Sequence, residues 1–171
     1  MNAVGISNLV LWGVQGFLAL LFLFAGIPKL LGSGLERWTG FAELPRAEVV
    51  FIGLTEVLGA AALVLPMATG MLAWLTPLAA MGLAVIVLMA TGFHLRASEY
   101  LEALETVLWA SICIVVAIGR WGLVTTSVIV PEWALVGAVA VLVPAAIINV
   151  ILLLKRPVKS VVKRPVRSVA A

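Results

Sequence analysis

Glu56 stands inside an apolar run, AEVVFIGLTEVLGAAALVLP over 47–66. In a helix rising about 1.5 Å per residue, its carboxyl lies about 14 Å from the start of that run. A charge at such a depth in an apolar segment costs about 2.5–3.5 kcal/mol. So short a side chain cannot reach water from there. Glu56 must therefore be protonated, paired with a cation or turned toward an aqueous cavity. Candidate partners sit at the ends of the neighbouring runs. Lys29 follows Pro28, His94 and Arg96 close the segment FHLR, and Tyr100, Glu102 and Glu105 open the next run. Lys29, Glu56, His94, Arg96 and Glu105 together form a candidate polar cluster. Such a set can lock helices together by ion pairing. It can also bind a small molecule or relay a proton, with Glu56 as the central acid and Lys29 and His94 beside it.

Other chemistries are excluded by composition. One Cys, Cys113, permits no internal disulfide, no dithiol and no thiolate cluster, and one His, His94, permits neither bis-histidine haem ligation nor a Cys/His zinc site. No glycine-rich dinucleotide motif follows a strand-like segment. No metal site, no intrinsic cofactor and no nucleic-acid partner are expected, and a catalytic role is not favoured.

The elements that carry these residues are set by hydropathy. Of 171 residues, 64% are hydrophobic and 11% charged, and the mean hydropathy is +1.23. A soluble domain has about 25% charged residues, so the solvent for most of this surface must be lipid. Apolar runs cover roughly 9–31, 47–66, 71–93, 101–122 and 133–154, each near the length of about 20 residues that spans a bilayer as a helix. They lack the alternation of barrel strands. The expected fold is all-α, a polytopic membrane bundle over 1–154 with a basic tail over 155–171. The first run has no Lys or Arg ahead of it and exceeds a typical signal-peptide core, so it is expected to be retained.

Five spans place Lys29, Arg37, Arg46, Arg96 and the six basic residues of the tail on one side; of the 11 Lys and Arg residues, only Arg120 falls on the other. The positive-inside rule then puts the C-terminus in the cytoplasm and the N-terminus outside. Trp12, Trp74, Trp121 and Trp133 fall near the outer interface, where indole rings settle at headgroup level. Arg120 is expected to pin the outer end of its span or to meet a lipid phosphate. Gly32–Arg46 reads either as a short amphipathic helix on the inner face or as a plain loop. The tail repeats KRPVKSVV as KRPVRSVA, a basic stretch suited to an anionic leaflet or to anchoring the topology. Ala80/Ala84 and Ala134/Ala138 have the spacing of close helix contacts.

The segments LFLFAGIPKLLG, GLTEVLGAAALVLP, FHLR and AIGRWG, in this order over 21–122, resemble the DoxX-like family of small membrane proteins. The matching positions are Gly26, Lys29, Glu56, Gly59, His94, Gly119 and Arg120. The resemblance implies a four-helix membrane core, to which this sequence adds a fifth apolar run. It also implies a link to membrane redox complexes, whether as an accessory subunit or beside a bound quinone or lipid. The expectation is an accessory subunit of a redox or energy-converting complex in the cell membrane of a prokaryote, with other membrane subunits and the bilayer as partners. The alternative is a binder or transporter of small hydrophobic molecules built around Glu56.

Overall fold

The computed structural model describes residues 3–35 and 44–126 and isolated positions between 133 and 151. The described chain is all helical: α1 Ala3–Leu31, α2 Arg46–Thr69, α3 Leu75–Arg96, α4 Tyr100–Gly119 and the single turn α5 Gly122–Thr126. Four helices are long and apolar enough to cross a membrane, the last running from Tyr100 through α5 to Thr126. The fifth span expected over 133–154 falls for the most part outside the described residues. The fifth helix that is described is a short continuation of α4, not a span. The basic tail and the centre of the 32–46 connection also lie outside the described residues.

Short connections make α2, α3 and α4 run antiparallel in turn, and α1 and α2, joined by the longer 32–45 segment, also pair antiparallel. Gly70 ends α2 in the left-handed conformation (φ 70°), which a glycine adopts without strain. Ala97, Ser98 and Glu99 alone join α3 to α4, with Ser98 at φ 63°. The core is a stack of apolar side chains from all four helices, including Leu18 and Phe22 of α1, Leu63 of α2, Leu83 of α3 and Cys113 and Val116 of α4. Ala80 and Ala84 lie buried in it, as their spacing suggests. The outward faces carry Phe24, Leu31, Phe51, Leu65, Leu101, Leu104 and Ile118, all exposed. An apolar core inside an apolar coat is the pattern that lipid permits and water does not.

Pro66 shows how the bundle satisfies its backbone. The hydropathy pattern ends the second span at this residue, yet α2 continues to Thr69. Proline has no N–H to give to the carbonyl four residues back, which is that of Ala62. Thr76 Oγ1, on α3, donates to the Ala62 oxygen at 3.1 Å instead. In hydrocarbon an unsatisfied carbonyl is costly, so this bond lets α2 run past its proline and fastens it to α3.

Candidate functional site

Apart from the threonines, the buried polar side chains among the described residues fall into two layers. One contains Lys29 and Glu56. Lys29 Nζ lies 2.6 Å from each carboxylate oxygen of Glu56, and each residue is 5% exposed. The backbones explain how so large a pair fits. A Cβ placed on Gly53 would come within 2.8 Å of the Lys29 Cβ, and one placed on Gly26 would lie 3.1 Å from the Glu56 Cβ. Each charged residue thus sits over the glycine of the opposite helix, three residues from a glycine of its own: Gly26 with Lys29, Gly53 with Glu56. Helical side chains lean toward their own N-terminus. In an antiparallel pair the two therefore lean toward each other, and Lys29 is directed into the bundle, away from the near end of its span.

The C-terminus of α1 beside this pair is closed by Arg46. Its guanidinium donates to the carbonyls of Lys29 (2.6 Å) and Leu30 (2.7 Å). Cations at this position satisfy orphan carbonyls and oppose the negative end of the helix dipole.

The remaining members of the expected cluster have other partners. His94 Nδ1 lies 2.9 Å from Glu99 Oε2, Glu105 accepts a bond from Trp109 Nε1 one turn further along α4 (3.2 Å), and the Arg96 guanidinium lies over the Phe93 ring at 5.9 Å. No hydrogen bond or ion pair among the described residues joins any of them to Lys29 or Glu56. The expected five-residue cluster resolves into one enclosed pair between α1 and α2 and a separate polar group at the α3–α4 turn. The physical reason is reach: short turns hold His94 and Glu99 five residues apart, where they meet locally. Thr91 and Thr106, bonded through their hydroxyls at 2.8 Å, join α3 to α4 further along.

The second layer lies at the opposite end and centres on Arg120. It is not at the surface: only 8% of it is exposed. Its Nε donates to Gln15 Oε1 (2.7 Å) and a terminal nitrogen donates to Asn8 Oδ1 (2.6 Å), and the guanidinium lies over Trp12 at 5.7 Å. Gln15, fully buried, passes the connection on: its Nε2 donates to the Leu63 carbonyl at 2.6 Å. One chain of bonds thus ties α4 to α1 and α1 to α2. Of the two expectations for Arg120, pinning the end of its span and meeting a lipid phosphate, these bonds fit the first, but from inside the bundle, because α1 offers it two side-chain amide oxygens. Trp74 is also turned inward, buried with Val124, whereas Trp121 and Trp133 are exposed.

Sequence reasoning passed over Asn8, Gln15, Gly53 and Glu99. Gln15 carried a signal, an amide inside an apolar run placed at the same end of the bundle as Arg120. Gly53 repeats in α2 the spacing of Gly26 and Lys29 in α1.

Four membrane-length helices bearing an enclosed Lys–Glu pair define a small polytopic membrane protein. The family model described as the DoxX-like family matches residues 13–119, and the chain belongs to that family. The matched stretch contains both members of the buried pair and ends one residue before Arg120. Comparisons with curated proteins and with solved structures gave no match.

Proposed function

We propose that this protein is an accessory subunit of a membrane redox or energy-converting complex, with its C-terminus in the cytoplasm. The observation that carries the reading is the direct bond between Lys29 and Glu56. An acid already neutralised by an enclosed ammonium is suited to fixing two helices. To bind a ligand, Glu56 would have to give up Lys29 while both remain shielded from water. The apolar groove between α2 and α3, lined by Leu58, Leu65, Met71 and Leu72 among others, does not include Glu56. Family membership supports the membrane setting, and the broad apolar faces of α1, α2 and α4 suit packing against lipid or other membrane helices. Electrons in such a complex would travel through a partner or a bound quinone.

Native mass spectrometry after extraction in mild detergent, with lipids and quinones retained, tests this. A stoichiometric complex with another membrane protein is expected. Recovery of this chain alone under every mild condition overturns the proposal.

A further inference from the structure

The described cations that belong to the Lys29 end of the bundle are Lys29, Arg46 and Arg96. Lys29 is bonded to Glu56, and Arg46 closes the end of α1. Arg96 has neither kind of task. It is the last residue of α3, but the carbonyls there are already met by the turn itself: Ala97 N–H bonds Phe93 O (3.0 Å), Ser98 N–H bonds Leu95 O (3.1 Å) and Glu99 N–H bonds His94 O (2.9 Å). Glu99, the nearest carboxylate in sequence, is turned to His94. No carboxylate among the described residues forms an ion pair with Arg96.

The guanidinium is nevertheless held in place. It lies over the Phe93 ring one turn earlier, at 5.9 Å, and its Nε is buried without a hydrogen-bond partner. Of its nitrogens only Nε is both buried and unmatched, and the terminal nitrogens meet no acceptor among the described residues. A half-buried guanidinium over an aromatic ring, its terminal nitrogens without an acceptor among the described residues, suits oxyanion recognition. Its level is that of the membrane boundary, since a membrane-length helix ends at this residue. The oxyanions concentrated at that level are lipid phosphates.

We propose that Arg96, seated on Phe93 at the end of α3, binds the phosphate oxyanion of an anionic lipid headgroup. The terminal nitrogens supply the charge-assisted bonds. Phe93 lies beneath the fork at 5.9 Å, and the tight turn over 97–99 follows Arg96 directly. A free phosphate ion offers the same chemistry, so the two sources must be separated by experiment.

Full-length protein is equilibrated in mild detergent with a large excess of phosphatidylcholine and limiting phosphatidylglycerol, and retained lipid is read by native mass spectrometry. The wild type is expected to retain one phosphatidylglycerol selectively. Arg96→Gln should weaken that retention at least tenfold, and Arg96→Lys, which keeps the charge but not the fork, should weaken it severalfold. The double variant Lys159→Gln/Lys163→Gln, in the basic tail, should retain it. A parallel arm in phosphatidylcholine nanodiscs reads the thermal shift produced by inorganic phosphate. A shift that Arg96→Gln abolishes, with no lipid selectivity, would assign the site to soluble phosphate and overturn the lipid source. Undiminished retention in Arg96→Gln, or its loss in the tail variant alone, overturns the proposal. Should Arg96→Gln not fold, Arg96→Lys and Phe93→Leu carry the test, and wild-type retention by both overturns it.

Discussion

Lys29 and Glu56 meet because each lies over a glycine of the other's helix. The same antiparallel crossing that brings Gly26 and Gly53 together directs both side chains inward, and the 2.6 Å contacts follow. Neither residue explains the other without the glycines. A cation near a span end ordinarily extends toward water. Here the lean of the helical side chain and the gap over Gly53 take it the other way.

Removing one partner leaves the other as an uncompensated charge, a loss of about 3–5 kcal/mol for a buried pair. Glu56→Gln and Lys29→Met should each lower the thermal stability of the detergent-solubilised protein sharply. The double variant Lys29→Met/Glu56→Leu leaves no charge behind and should recover much of the loss. Thermal unfolding of the three variants measures this. If the double variant is as unstable as the sum of the singles, the pair is not an isolated electrostatic unit.

Gly53→Ala tests the crossing itself. Its added methyl would meet the Lys29 Cβ at 2.8 Å and the Gly26 carbonyl oxygen at 2.9 Å. Both obstacles are backbone or next to it, so the helices must separate. Overpacking of this kind costs about 1–3 kcal/mol. Gly82→Ala, where an added Cβ meets nothing within 4 Å, should leave stability unchanged or slightly raised, since alanine favours a helix over glycine by about 1 kcal/mol. Equal behaviour of the two variants in a thermal unfolding assay would show that α1 and α2 are not in close contact.

Much of this architecture was legible in the sequence. Long apolar runs specify helices in lipid because a buried backbone there has few other ways to satisfy itself, and four of the expected spans are helices of the described chain. Glu56 was conspicuous because a carboxylate inside such a run demands a partner. Which cation answers it was not legible: Lys29, His94 and Arg96 all end helices near one side, and only the crossing at two glycines selects Lys29. The inward turn of Arg120 was not legible for a related reason. Placed beside Trp121 it reads as an interfacial anchor, and its burial depends on Asn8 and Gln15, more than a hundred residues away in sequence. Hydropathy reports depth along a helix but not which way the helix is rotated.

The Arg120 layer should respond to the geometry of the cation as well as to its charge. Its guanidinium meets Gln15 through Nε and Asn8 through a terminal nitrogen. A lysine ammonium is a compact charge and cannot reproduce that separation. Arg120→Lys should therefore destabilise the bundle, and Gln15→Leu should do so as well, since it removes the acceptor for Nε and the donor to Leu63 O together. Hydrogen bonds to charged groups contribute about 1.5–3 kcal/mol, which sets the scale for each. In a double-mutant cycle the two changes should be strongly non-additive. Additive losses would mean that Arg120 and Gln15 act separately.

Thr76 offers the most local test. Its hydroxyl donates to the carbonyl that Pro66 leaves open. Thr76→Val keeps the shape and β-branching but removes the donor, so the Ala62 oxygen loses its partner. A buried acceptor left unmatched costs about 1–3 kcal/mol. Thr76→Ser retains the donor and should stay close to the wild type. If the Thr76 bond is what allows α2 to extend beyond its proline, Pro66→Ala should rescue Thr76→Val, because alanine restores an N–H that can reach Ala62 O. Thermal unfolding of the single and combined variants decides this. A Thr76→Val loss that Pro66→Ala leaves undiminished would place the contribution of Thr76 elsewhere than in the missing helix bond.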